Sequence, residues 1–104
     1  MTKRKTRTDR NHAIYQIRNI TTGELYIGVT VCSGSVKKSL KVRIQKHIRR
    51  ALTENKTWAL CKSIRDHGVE AFEYALLEIV RGKAPAHVRE REITAMVQPE
   101  LNTL

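Results

Sequence analysis

The chain has 104 residues, which is enough for one domain with a single hydrophobic core. Hydrophobic residues make up 40% of it, and no apolar run approaches the roughly 18 residues that a membrane span requires. No apolar segment follows the charged start, as it would in a secretory signal. These properties predict a soluble globular protein without membrane association, in which Cys32 and Cys61 are free thiols.

Positive charge is concentrated in the first half of the chain. The formal net charge is +10, and residues 1–53 hold thirteen Lys and Arg against two acidic residues, whereas residues 54–104 hold seven against eight. This asymmetry favours a polyanionic partner, most simply nucleic acid. Residues 1–11 lack apolar side chains after Met1 and predict a basic flexible arm, followed by a single domain at residues 12–104.

Two β-strands joined by a turn are predicted at the start of this domain. Residues 13–18 and 24–30 are rich in β-branched and aromatic side chains, and the turn-prone stretch NITTGE lies between them. If the hairpin is symmetric about Ile20–Thr21, then Tyr15 and Tyr26 lie directly opposite each other on one face. Gly28, two residues after Tyr26, indicates a bulge or a place where a ligand approaches the backbone.

Two helices are predicted next. Residues 31–39 are small and basic, which predicts a loop, and from Leu40 the apolar residues recur at helical spacing. A second helix is predicted from about Thr57 to His67, with Gly68 as its stop. The buried face of the first helix is expected to consist of Leu40, Ile44, Ile48, Ala51 and Leu52.

The last part of the chain predicts a strand and a third helix. Residues 71–80 alternate at first and are then continuously apolar, which is typical of a central strand. The helix spans about Pro85 to Val97, with Pro99 just beyond its end. The order β-β-α-α-β-α predicts an α+β fold in which three helices flank a small, three-stranded, mainly antiparallel sheet.

The first helix places basic side chains beside its apolar face. Arg43 and His47 lie four residues apart at one border of that face, and Lys46 and Arg50 continue the border as a basic stripe. A histidine can exchange a proton near neutral pH. A lone histidine at such a position is more often structural, but an arginine one turn earlier favours a functional pair.

Two glutamates on the last helix are candidate ligands of a cation. Glu90 shares a face with Ala86 and Ile93, whereas Glu92 lies on the other side with Met96. A carboxylate beside an apolar face needs a partner, and either a divalent cation or a nearby arginine satisfies it. Tyrosine, arginine, histidine and glutamate in a basic domain favour phosphodiester hydrolysis, which needs a base for water and cations for the developing charge.

These residues together resemble the GIY-YIG endonuclease family. AIY at 13–15 and YIG at 26–28 resemble its signature, although Ala13 replaces the first glycine. The resemblance covers about residues 13–102 and is nearest to the catalytic domains of phage and intron homing endonucleases. Further motif residues follow in the family's order: Arg43 and His47, Lys56, then Gly68, Phe72, Leu77 and Glu78, then a helical glutamate, Pro99 and Asn102.

The resemblance implies a metal-dependent DNA endonuclease. Tyr15 and Tyr26 would flank the attacking water, and one of them would act as its base. A phenol with a pKa near ~10 is a poor base at neutral pH, so His47 or Lys56 would assist it. Arg43 would hold the scissile phosphate.

The resemblance also implies one Mg²⁺ or Mn²⁺ ion. Glu90 is the expected ligand because it lies nine residues before Pro99 and twelve before Asn102, as in the family; Glu92 remains the alternative. Asn102 would hold the edge of the active site by hydrogen bonds, and Gly28 would let substrate approach the backbone. Glu78 is interpreted as structural.

The expected partner is double-stranded DNA, with no small-molecule cofactor, in the cytoplasm of a prokaryotic cell or a phage-infected host; a homodimer is left open. A non-catalytic DNA-binding or regulatory protein that keeps the fold is the alternative. A zinc module built from Cys32, Cys61, His47 and His67 has no supporting spacing. The predicted DNA contacts are Lys3, Arg4, Lys5, Arg7, Lys37, Lys38, Lys41, Lys46 and Arg50.

Overall fold

The structure is a computed structural model, which describes residues 10–54 and 58–102. Its elements follow the predicted order and confirm the α+β fold class, and no helix in these ranges is long and apolar enough to cross a membrane. The elements are β1 Asn11–Asn19, β2 Leu25–Val31, α1 Val36–Thr53, α2 Ala59–His67, a 3₁₀ turn at Val69–Ala71, β3 Phe72–Arg81 and α3 Lys83–Val97. β1 therefore begins inside the predicted arm, at its last residue.

The sheet is fully antiparallel, and β1 is its central strand. β1 pairs with both neighbours in the order β2-β1-β3, so the prediction that residues 71–80 form a central strand is wrong. A continuous apolar run indicates a strand, but it does not reveal how much of that strand other elements cover. Four large apolar side chains of β3 are in fact 41–46% exposed: Tyr74, Leu76, Leu77 and Ile79.

Helices pack on both faces of the sheet. Successive side chains of β1 point to opposite faces, so Ile14 meets Ile93 of α3 on one side, while Tyr15 lies on the other. The larger core cluster lies between that second face and the α1–α2 pair. Its buried members are Ala13, Tyr15, Ile17, Cys32, Leu40, Ala51, Leu60, Cys61, Ile64 and Leu101.

α1 is longer at its start than the sequence pattern predicts. It begins at Val36 because the Ser35 side chain accepts a hydrogen bond from the Lys38 amide at 3.1 Å, which caps the helix. Part of the predicted loop at residues 31–39 is therefore helical. At the other end, Leu52 is 60% exposed, so its assignment to the buried face is wrong.

The buried Asn19 side chain sets the register of the β1–β2 hairpin. Its Oδ1 accepts the Thr21 amide at 2.9 Å, and its backbone amide donates to the Glu24 carbonyl at 2.9 Å. Gly23 adopts φ 79° and donates to the Asn19 carbonyl. These bonds enclose residues 20–23 as the loop, so the hairpin is not symmetric about Ile20–Thr21 as predicted.

This register changes how the two hairpin tyrosines meet. Tyr15 lies opposite Gly28, and Tyr26 lies opposite Ile17, so the predicted direct pairing is wrong by two residues. A shift of two residues keeps the side chains on the same face. Tyr15 and Tyr26 are therefore diagonal neighbours, with ring centroids 6.2 Å apart and planes inclined at 41°.

Gly28 makes room for the Tyr15 ring. A Cβ atom at Gly28 would lie 2.5 Å from the Tyr15 hydroxyl oxygen, 2.6 Å from its Cζ and 2.9 Å from Tyr26 Cε1. Atoms at such distances overlap, so no larger residue fits there unless a tyrosine moves. The glycine thus leaves the space that the Tyr15 ring fills, and its role in the approach of substrate stays a prediction.

We expect Gly28→Ala to destabilise the fold by about 1–3 kcal/mol, because the added methyl group overpacks the core. Urea unfolding followed by circular dichroism measures this loss. Thr30→Ala, two residues further on the same strand face, is the control and should cost less. In a Tyr15→Ala background the Gly28→Ala penalty should shrink, and an unchanged penalty would refute the steric explanation.

Candidate active site

One face of α1 brings three cationic or basic side chains to the sheet. His47 and Arg50 follow Arg43 by four and seven residues, so one face of the helix carries all three. His47 is buried at 6% exposure within the face that packs on the sheet, which confirms its predicted position against the core.

A hydrogen-bonded cluster forms where this face meets β1. The Tyr15 hydroxyl lies 2.7 Å from His47 Nε2, and the Arg43 Nε–H group donates to the same hydroxyl at 3.4 Å. Because Arg43 can only donate, the Tyr15 oxygen accepts from it and is free to donate its own proton to a neutral His47. Tyr15 is completely buried, so its hydroxyl depends on these partners.

Tyr26 occupies the outer side of this cluster. Its ring meets the His47 ring edge-on, with centroids 5.1 Å apart, and Tyr26 is partly exposed, whereas Tyr15 is completely buried. Of the two tyrosines, Tyr26 is therefore the one that solvent and a bound molecule can reach.

Burial keeps both phenols and His47 neutral, and the nearby positive charge adds to this effect only at His47. Burial raises the pKa of Tyr15, and the Tyr26 hydroxyl adds to the rise. Burial also raises the pKa of Tyr26, which Arg43 and the Tyr15 hydroxyl partly offset. Burial, Arg43 and Arg50 lower the pKa of His47 to about 4. At neutral pH, His47 is therefore an uncharged proton acceptor beside two protonated phenols.

A pocket of about 310 Å³ opens beside Tyr26. Sequence reasoning missed Trp58 here, because its contact with the Arg50 guanidinium, 5.9 Å from the ring centre, joins two elements and leaves no pattern in the chain. The pocket combines a basic side with an apolar side. Its lining residues are Tyr26, Arg43, His47, Arg50, Trp58, Leu60, Cys61 and Leu101.

Asn102 fastens the end of the described chain to the outer edge of β2. Its Oδ1 accepts the Ile27 amide at 2.7 Å, and its Nδ2 donates to the Ile27 carbonyl at 2.6 Å. The Leu101 amide donates to the Leu25 carbonyl at 2.9 Å. Since Ile27 lies between Tyr26 and Gly28, these bonds hold the strand that carries the accessible tyrosine, which agrees with the predicted position of Asn102.

Glu90 and Glu92 differ in their surroundings. Glu90 shares the α3 face of the buried residues Ala86 and Ile93, and its negative charge adds to the rise in the pKa of Tyr26. Within residues 10–54 and 58–102 it has no ion pair. Glu92 is exposed and lies 3.8 Å from Arg89.

Glu78 forms an ion pair with Arg89 at 3.0 Å, as its structural interpretation implies.

Lys38 and Lys46 line a second depression of about 310 Å³, next to Arg43. Across the described ranges no group of three or more His, Cys, Asp or Glu is placed to hold a metal ion, which leaves the zinc module unsupported. Lys56, predicted to assist the tyrosines, lies outside those ranges, and so do the predicted DNA contacts Lys3, Arg4, Lys5 and Arg7. The predicted DNA contacts Lys37 and Lys41 are exposed on α1.

No family model matches this chain, and no curated protein matches it in sequence. Two solved structures are similar to it. The catalytic domain of the homing endonuclease I-TevI is 25% identical, with a TM-score of 0.64 over 88% of this chain and 92% of that one. A glutamate-to-alanine mutant of the same intron endonuclease domain is 23% identical, with a TM-score of 0.66 over 88% and 84%. The chain has a GIY-YIG-like fold.

In this GIY-YIG-like domain, the fold brings Tyr15, Tyr26, Arg43 and His47 into one cluster. Asn102 is hydrogen-bonded to Ile27 of β2, next to Tyr26, and the charge of Glu90 contributes to the raised pKa of Tyr26. Ala13, which replaces the first glycine of the signature, is completely buried in the larger core cluster, so a methyl group is accommodated there.

The buried neutral His47 predicts a stability loss in acid. Its pKa is about 4 in the folded protein and near 6.5 when unfolded, so the unfolded chain binds the extra proton between these values. The free energy of unfolding should therefore fall by up to about 3 kcal/mol as the pH drops from 6.5 to 4. Urea unfolding at intervals across this range measures it.

His47→Gln should remove most of this dependence, although it also weakens the fold at neutral pH. The exposed His67 is the matched control, and His67→Gln should leave the dependence on pH unchanged. Equal slopes in all three proteins would show that His47 is not the group responsible.

Proposed function

We propose that this chain is a DNA endonuclease that hydrolyses phosphodiester bonds with the help of one divalent cation. The observation that carries the proposal is the Tyr15–His47–Arg43 cluster beside the accessible Tyr26. The similarity of the fold to an endonuclease catalytic domain supports it, as does the basic first half of the chain.

Arg43 is suited to hold the scissile phosphate. It lines the pocket beside Tyr26, and within the part of the chain that the structure describes it has no ion pair. A guanidinium binds two phosphate oxygens at once and is charged at every working pH. It would also stabilise the charge that develops on the phosphate oxygens during attack.

Tyr26 is the better placed base, and Tyr15 and His47 would complete its proton path. Water attacks phosphorus, a new P–O bond forms and the bond to the leaving sugar oxygen breaks. Tyr26 accepts the proton of the water while its own proton passes through the Tyr15 hydroxyl to His47 Nε2, 2.7 Å away. The leaving oxygen takes a proton from solvent.

Glu90 fits a site for Mg²⁺ or Mn²⁺. It is a carboxylate without an ion pair in the described ranges, close enough to Tyr26 to influence its pKa. Mg²⁺ keeps several waters and often binds through one or two carboxylates and a substrate phosphate, so a lone glutamate suffices. A cation held there supplies positive charge to the phosphate and the leaving oxygen.

The Glu90 assignment predicts a specific loss of cleavage. Glu90→Gln should reduce plasmid nicking by at least about a hundredfold, because the amide binds the cation poorly, while DNA binding in EDTA persists. Glu92→Gln is the matched control and should retain activity. If Glu92→Gln lost activity and Glu90→Gln kept it, the metal would be assigned to Glu92. Cleavage in EDTA would contradict a metal-dependent reaction.

The proposed roles of the two tyrosines predict different cleavage rates for their phenylalanine variants. Tyr26→Phe should lower the single-turnover cleavage rate by about 10²–10⁴-fold, as expected for a lost general base. Tyr15→Phe should lower it less, because Tyr15 acts through the proton path. Tyr74→Phe, on exposed β3, should cut normally. If Tyr26→Phe cuts at the normal rate, Tyr26 is not the base.

The alternative is a DNA-binding protein without catalysis. It shares the basic surface and the expected loss of affinity with salt, so salt titration does not separate the two functions. Purified protein that binds plasmid DNA but leaves it uncut with Mg²⁺ and with Mn²⁺ would favour the alternative.

A further inference from the structure

Two arginines enter the pocket beside Tyr26 without a carboxylate among its lining residues. Arg43 and Arg50 are seven residues apart on α1, so they share a helix face and lie about 10 Å apart along its axis. In the described ranges neither arginine forms an ion pair. Two cations in one half-closed pocket repel each other, and anionic groups bound between them would relieve this repulsion.

Trp58 holds Arg50 at the rim of this pocket. The guanidinium carbon lies 5.9 Å from the ring centre, within the range of a cation–π contact. Trp58 is the residue directly before α2, and it is 45% exposed. A long arginine side chain loses conformational freedom when it binds a ligand, and the contact with Trp58 removes part of that cost beforehand.

The charge of Arg50 also reaches the cluster. After burial and Arg43, it is the third cause that lowers the pKa of His47, and it lowers the pKa of Tyr26 as well. Arg50 therefore faces the same site as Arg43, whereas the neighbouring Arg49 is exposed on another side of α1.

We propose that Arg50 binds a second phosphate of the DNA strand whose scissile phosphate meets Arg43, and that Trp58 is the positioning residue for Arg50. The identity of the anion as DNA rests on the proposed function. Contacts to two phosphates of one strand fix the register of that strand in the pocket, which a single contact cannot do.

DNA binding without cleavage tests this assignment. A short labelled duplex is titrated in EDTA and followed by fluorescence anisotropy, with Arg50→Ala and Arg49→Ala as variants of equal charge. Arg50→Ala should weaken binding about tenfold more than Arg49→Ala. Arg50→Lys keeps the charge without the planar fork and should recover only part of the affinity. Equal losses for Arg49→Ala and Arg50→Ala would overturn the proposal.

The role of Trp58 predicts non-additive losses. Trp58→Phe keeps an aromatic face and should bind the duplex nearly as well as the unmodified protein. Trp58→Leu should bind it almost as weakly as Arg50→Ala does. The double variant should bind no more weakly than Arg50→Ala, because Trp58 acts through Arg50. Additive losses, or unchanged binding by Trp58→Leu, would refute its positioning role. Circular dichroism confirms that each variant is folded.

Trp58 is the only tryptophan of the chain, so its fluorescence reports on the pocket directly. Thymidine 3′,5′-bisphosphate in EDTA should change that fluorescence, and Arg50→Ala should need about tenfold more of it; an unchanged spectrum counts against the site. If neither Mg²⁺ nor Mn²⁺ produces cleavage but Arg50→Ala still binds DNA more weakly than Arg49→Ala, the endonuclease proposal fails and the phosphate site stands. If the protein cleaves DNA but Arg49→Ala and Arg50→Ala bind it equally well, the endonuclease proposal stands and the phosphate site is refuted.

Discussion

The hydrogen bond between the Tyr15 hydroxyl and His47 Nε2 is the constraint around which this domain is arranged. Tyr15 is completely buried on the central strand, and an unpaired hydroxyl there would cost about 1–3 kcal/mol. His47 satisfies it at 2.7 Å and thereby fixes the rotation of α1 against the sheet. Gly28 leaves the space that the Tyr15 ring occupies. The phenol of Tyr15 therefore constrains both α1, which packs on this face, and β2, which pairs with β1.

The elements were predictable from the sequence, but their mutual arrangement was less so. Hydrophobic periodicity and chain breakers give the order of strands and helices, because these are local signals. The hairpin register was missed because Asn19 closes the loop with its side chain, a preference that apolar alternation does not encode. The central place of β1 was missed because an apolar run looks alike in a covered strand and in an edge strand such as β3.

The candidate site shows the same division between local and long-range information. Arg43 and His47 were recognisable because their spacing on one helix is local, and the family resemblance supplied Tyr15 and Tyr26. Trp58 was not recognisable, since its contact with Arg50 depends on how α2 packs against the end of α1. The geometry also distinguishes the positions of the two tyrosines that the resemblance left as a pair, because only Tyr26 lines the pocket.

The electrostatics of the site give substrate charge a role in the proposed reaction. In the free protein, Arg43 and Arg50 help to lower the pKa of His47 to about 4, which keeps the imidazole neutral but makes it a weak base. Phosphate groups bound to these arginines would compensate their charges and remove that part of the shift, leaving burial as its main cause. His47 would then become a stronger proton acceptor only when DNA is in place. If Arg43 and Arg50 bind the strand as proposed, their neutralisation would thus favour the proton path from Tyr26 through Tyr15, while burial would still limit the basicity of His47.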